Sequence, residues 1–180
     1  MTFHAHFLLM AKYNQRLNNQ MIEACYSLDR NILTEDKGAF FISILGTLNH
    51  ILVGDFIWLK RFSAHSQRYK TLIDLTARTQ PKTLNEVLYE RLDSFKVARE
   101  EVDSAIITWL SEEVVDGDFC QTLEYANTKD IKSERNFAEL VSHLFNHQTH
   151  HRGQASNLLY QEGVDIGVTD FLIEIPDILK

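Results

Sequence analysis

The stretch Leu144-Phe145-Asn146-His147-Gln148-Thr149-His150-His151-Arg152-Gly153-Gln154 decides how the rest of this 180-residue chain is read. It holds three of the eight histidines, and His143 stands just ahead of it. On a helix, residues four apart project from one face about one turn apart, so His147 and His151 can point their imidazoles at a single ion. Projection at about 100° per residue places Phe137, Leu140, Leu144, Ala155 and Leu158 on the apolar face, with His151 inside it and His147 roughly 40° to one side. His143 and His150 lie at its edge and are weaker ligand candidates. An inward histidine is also often a core residue held by one hydrogen bond, so spacing leaves both readings open. A metal site would need a third ligand from another helix.

Outward from this segment, the chain reads as helical, with only seven glycines and two prolines. A helix is predicted over 134–162, ended by Gly163, which accepts the left-handed conformation of a helix C-cap. A first helix is predicted over 3–29, from apolar residues at three-to-four spacing between Phe3 and Leu28, with a loop over 31–38. A second, over 39–63, is apolar around much of its circumference and should be buried on more than one side. After a polar connection holding Pro81, Thr83-Leu84-Asn85-Glu86 has the form of a capping box. A third helix is predicted from there to about Glu113. Asp116-Gly117 marks a turn, Phe119 to Tyr125 a short strand or hairpin, and Thr169 the cap of a short closing helix near Pro176.

Composition narrows the function. The length suits one domain spanning 1–180, with 44% hydrophobic residues to build a core. No basic leader precedes an apolar stretch, and no run of about 18 apolar residues occurs, so neither secretion nor a membrane span is expected. Cys25 and Cys120 form no C-x-x-C pattern, which fits a reducing cytoplasm. A formal charge of −7 argues against a nucleic-acid partner. A di-iron carboxylate bundle would need Glu-x-x-His pairs that the chain lacks, and the H-E-x-x-H protease motif is absent.

The segment quoted above resembles the N-H-x-x-H-H-R-G-Q motif of the DinB/YfiT-like family of metalloenzymes. Leu48-Asn49-His50, with Asp55, Trp58, Leu59 and Arg61, resembles that family's second-helix motif, H-x4-D-x2-W. Tyr13-Asn14 with Asn18, Phe40-Phe41, and Gly167-Val168-Thr169-Asp170-Phe171 are similar to its other landmarks, so the likeness covers nearly the whole chain. The resemblance implies an all-α, DinB/YfiT-like four-helix bundle, commonly a homodimer, whose divalent metal is held by one histidine of the second helix and two of the fourth: His50, His147 and His151. Periodicity does not itself support His50, which projects nearly opposite the strongest apolar stripe, on a small-residue face with Ser43, Gly46, Thr47 and Gly54. Both faces being buried, one in the bundle and one against a second chain, would reconcile the two.

Three imidazoles leave open coordination positions, the arrangement of catalytic rather than closed structural sites. Imidazole suits zinc, nickel, iron or copper, and zinc or nickel is expected first. Tyr13, Asn14, Asp55 and Gln154 are candidate supports for the ligands. Asp55 would accept from an imidazole or pair with Arg61 or Arg152, and Arg152 would orient an anionic substrate or form a salt bridge. Trp58, Phe62 and Trp109 read first as core or interface. The leading functional expectation is a metal-dependent transferase of small molecules using a low-molecular-weight thiol. A metal-dependent hydrolase and a dimeric, damage-inducible stress-response protein are the alternatives.

Overall fold

Thr2 opens the first helix, its hydroxyl accepting from the backbone of Ala5 at 3.2 Å. The structure, a computed structural model describing residues 2–178, continues in chain order through α1 (Phe3–Cys25), α2 (Arg30–Thr34), α3 (Ile44–Ser63), α4 (Lys70–Arg78) and α5 (Leu92–Thr108). A wider π turn at Trp109–Glu113 and a 3-10 turn at Asp116–Cys120 lead into an antiparallel hairpin, β1 (Thr122–Ala126) and β2 (Lys132–Asn136), and then α6 (Phe137–Gln161). The four long helices close a ring: α3 lies against α6, α6 against α1, α1 against α5 and α5 against α3. This is the expected four-helix bundle. No helix among the described residues is long and apolar enough to cross a membrane.

The two helices that carry the histidines have well-defined starts. Ser43 caps α3 by accepting from Gly46, and Asn136 caps α6 by accepting from Glu139. Gly46 is required there, because a Cβ would meet the Phe41 carbonyl oxygen at 2.2 Å. At the other end of α6, Gly163 takes a φ of 77° and the Val164 amide donates back to Leu159 at 3.0 Å, a left-handed C-cap as predicted.

Only Lys60 of α3 is exposed. Most of the helix's apolar circumference is covered within one chain by α6, α4, α2 and α5, with Ile57 and Trp58 left partly exposed.

Several boundaries differ from the expectation. The first helix ends at Cys25, and the predicted loop after it contains α2. The second begins at Ile44, after its cap Ser43, because Gly38 and Ile42, both at positive φ, turn the chain around an Ala39–Ile42 bridge. The connection around Pro81 contains α4, which buries Leu72, Leu75 and Thr76. Thr83 and Glu86 close a turn, with the Glu86 carboxylate accepting from the Lys82 amide, and the helix starts only at Leu92. The hairpin is present and takes the first residues assigned to the fourth helix. The closing element is a 3-10 turn at Phe171–Glu174 with Asp170 before it; Thr169 instead offers its carbonyl to the Tyr13 hydroxyl at 2.9 Å.

The two cysteines occupy opposite environments. Cys25 is fully buried, and burial pushes its pKa up to about 12, whereas Cys120 is exposed. Iodoacetamide should therefore alkylate Cys120 and spare Cys25 in the native protein, with both modified after denaturation. Equal native labelling by mass spectrometry would contradict this packing.

Candidate metal centre

His50 of α3 and His147 and His151 of α6 meet where the two helices pack. The His50 Nε2 lies 3.1 Å from that of His147 and 3.2 Å from that of His151. An ion about 2.0–2.1 Å from each nitrogen separates them by about 3.3 Å in a tetrahedron and about 2.9 Å at right angles. The observed separations fall between these, so the residues fit a divalent metal. No carboxylate or thiolate joins the three among the described residues.

Two of the imidazoles have their tautomer set by an acceptor on the far side. His50 donates from Nδ1 to the Leu84 carbonyl at 2.7 Å, and His151 donates from Nδ1 to the Gln154 side-chain oxygen at 2.8 Å. In the neutral ring this leaves the Nε2 lone pair facing the cluster. His147 is oriented by packing: its Nδ1 is buried without a partner, and its ring lies on Gly54, where a Cβ would meet Cε1 at 2.5 Å. Phe41 stacks on His50 with centroids 3.7 Å apart and meets His151 edge-on. Burial holds all three imidazoles below their ordinary pKa, His147 down to about 3, where its neighbouring imidazoles add to the effect. They are therefore neutral at neutral pH, the form that ligates.

The Leu84 acceptor is held by the residue beside His50. Asn49, fully buried, donates to the Tyr89 carbonyl at 3.1 Å and accepts from its amide at 2.9 Å. The Asn49-His50 pair thus straps the 84–89 segment across α3. Sequence reasoning missed this contact, although a buried asparagine on an apolar helix demands partners and was the available signal.

Beneath the histidines lies a buried polar network with members from all four long helices: Asn14 and Asn18, Asp55, Arg99 and Asp103, and Gln148 and Arg152. Arg99 stands between two carboxylates, bonded to Asp55 and, at 2.9 Å, to Asp103. Asp55 also accepts from Gln148 at 2.8 Å, and Asn18 donates to both Asp103 oxygens at 3.0 Å. Asn14 donates to Gln148 and accepts from Arg152. Burial raises Asp55 to about 6 and also raises Asp103, against the pull of the shared guanidinium.

This geometry sorts the predicted supports. Gln154 does hold a histidine, and its amide nitrogen reaches the exposed His150, whose ring lies edge-on to His151 but outside the three-histidine group. Asp55 touches neither a ligand imidazole nor Arg61 or Arg152; its partner is Arg99, which sequence reasoning did not single out. Arg152 is bonded to neutral side chains in the core and cannot orient a substrate. Asn14 belongs to the network, and Tyr13 anchors the C-terminal segment. His143 leans on Trp58 rather than joining the cluster.

Two substitutions test this arrangement. Gly54→Ala should displace His147 and weaken zinc binding roughly 10- to 100-fold while the fold is retained by circular dichroism; unchanged affinity would contradict the packing. Asp55→Ala strands Arg99 and should lower unfolding free energy in urea by about 3–5 kcal/mol. A loss below about 1 kcal/mol would show that the ion pair is dispensable.

The chain matches the family model described as "DinB family" over residues 1–176. It is also 27% identical over 165 residues to "Protein DinB" of Bacillus subtilis (strain 168), an alignment covering 89% of this chain and 88% of that protein. The match extends across both ligand-bearing helices and the strap between them, and the chain belongs to the DinB family.

Proposed function

We propose that His50, His147 and His151 hold one divalent metal ion through Nε2, and that the protein is an enzyme acting on small molecules by thiol-dependent transfer. The observation that carries this reading is the convergence of three neutral imidazoles, two with their tautomer fixed from behind, with no fourth protein donor among the described residues. Zinc or nickel suits the donor set first, iron next. A bound ion of this kind lowers the pKa of a coordinated thiol or water. The chain's own thiols do not supply that group: Cys25 is sealed in the core, and neither cysteine belongs to the cluster. The thiol of this reading is therefore a diffusible one.

The protein's side chains fix where such chemistry would occur. Phe41 covers His50 on one side, and Gly54 keeps the floor below His147 free of side chain. Metal-ligand substitutions and a spectroscopic titration test the site together. His147→Ala or His151→Ala should abolish cobalt(II) binding, while His143→Ala and His150→Ala retain one ion per chain. Titrating the cobalt form with 2-mercaptoethanol should shift its visible bands to saturation. Bands that stay unchanged at millimolar thiol would contradict an open position and favour a closed, non-catalytic site.

A further inference from the structure

Beyond the histidines, the seam between α3 and α6 carries a strip of rings leading away from the metal centre. His147 and His143 stand 6.2 Å apart between ring centroids, His143 and Trp58 5.0 Å, and Trp58 and Tyr125 of β1 5.3 Å. Helix periodicity builds this strip: His50, Gly54, Trp58 and Arg61 follow at steps of four, four and three on α3, opposite His151, His147 and His143 on α6. Arg61 ends it, with its guanidinium carbon 4.5 Å from the Trp58 ring centre and 5.0 Å from that of Tyr125.

Arg61 differs from the arginines that build the fold. Arg16 and Arg68 each bond a carboxylate, Arg99 pairs with two, and Arg152 donates to three amides and a hydroxyl. Among the described residues Arg61 has no carboxylate partner and donates no hydrogen bond. Yet its side chain is held in place by two aromatic walls and is partly buried. A guanidinium positioned in this way presents its planar fork with the donors unspent. The exposed His143 and the partly buried Trp58 and Tyr125 leave the strip reachable from solvent.

We propose that Arg61, walled by Trp58 and Tyr125, is a carboxylate-binding subsite of the metal centre. It takes a small molecule whose carboxylate lies on the guanidinium and whose hydrocarbon part runs along the Trp58 and His143 rings toward the three histidines. The fork matches a carboxylate bidentately. One permanent cation between two aromatic rings suits a monoanion, while a phosphate dianion calls for a second cation to balance its charge. The role toward the metal rests on the reading above, but the anion subsite stands on the chain's own residues.

The test uses metal-free protein and benzoate, read by tryptophan fluorescence. Trp109 is fully buried in the core, so a change on titration reports Trp58. Benzoate should produce a saturable change, and the neutral isostere benzamide should not. Arg61→Ala should weaken benzoate binding at least about tenfold, the loss of a charge-assisted pair, while zinc stoichiometry and circular dichroism stay as in the parent. Arg61→Gln, which retains part of the stem over Trp58, serves if Arg61→Ala loses its fold. Equal binding of benzamide, unchanged affinity in the arginine variants, or tighter binding of inorganic phosphate than of benzoate would overturn the proposal. A chain that binds benzoate but takes up no zinc would overturn the metal reading alone; one that takes up zinc and ignores benzoate would overturn only this one.

Discussion

The Asp55–Arg99–Asp103 ion triad, with its amide partners, is the constraint on which the rest of the structure depends. Two buried acids and two buried bases, Arg99 and Arg152, balance in charge, and every long helix contributes to the cluster. Buried charges are expensive to desolvate and tolerate little displacement, because a lost partner leaves an unpaired ion in a low-dielectric interior. The apolar core surrounding the network would accept many rotations of each helix. The network accepts few, since Gln148 and Arg152 must face Asn14, Asn18 and Asp55 at once.

That rotation is what builds the three-histidine cluster. His147 and His151 each precede a network residue by one position on α6, so fixing Gln148 and Arg152 toward the bundle axis turns the histidines about 100° away, toward α3. There they meet His50, whose ring is set by a different device, the strap formed by Asn49 on Tyr89 and His50 on Leu84. One side of the site is therefore held by the core and the other by a surface segment. Gly54 allows the two to approach closely enough for the three nitrogens to converge.

The fourth helix was legible because its histidines repeat at helical spacing on an apolar face and its C-cap, Gly163, obeys a local rule, whereas its start at Asn136 is set by the hairpin before it. His50 was not legible from periodicity, since α3 is buried almost all round and an apolar stripe loses its meaning when nearly every position is inside. Only the resemblance carried it. Thr83 and Glu86 misled because the pattern of a capping box also closes a turn, and the 84–91 segment is tied down by Asn49 through contacts forty residues apart in sequence. Asp55 was recognised as needing a partner, but a partner on α5 is a tertiary fact. Nothing local to Arg99 distinguishes it from the exposed arginines of the same chain.

The proposed function requires three histidine nitrogens that hold a divalent ion and leave room for an exogenous ligand. X-ray absorption at the metal edge, on protein purified without a histidine tag, tests it most directly. The expected spectrum has an average of three imidazoles at about 2.0–2.1 Å, with the outer-ring scattering of histidine, together with light oxygen or nitrogen scatterers that an added thiol replaces by sulfur near about 2.3 Å. Protein that carries no metal after incubation with zinc, or a spectrum in which the metal content and the number of imidazoles are unchanged by substitution of His147 by Ala, would contradict it.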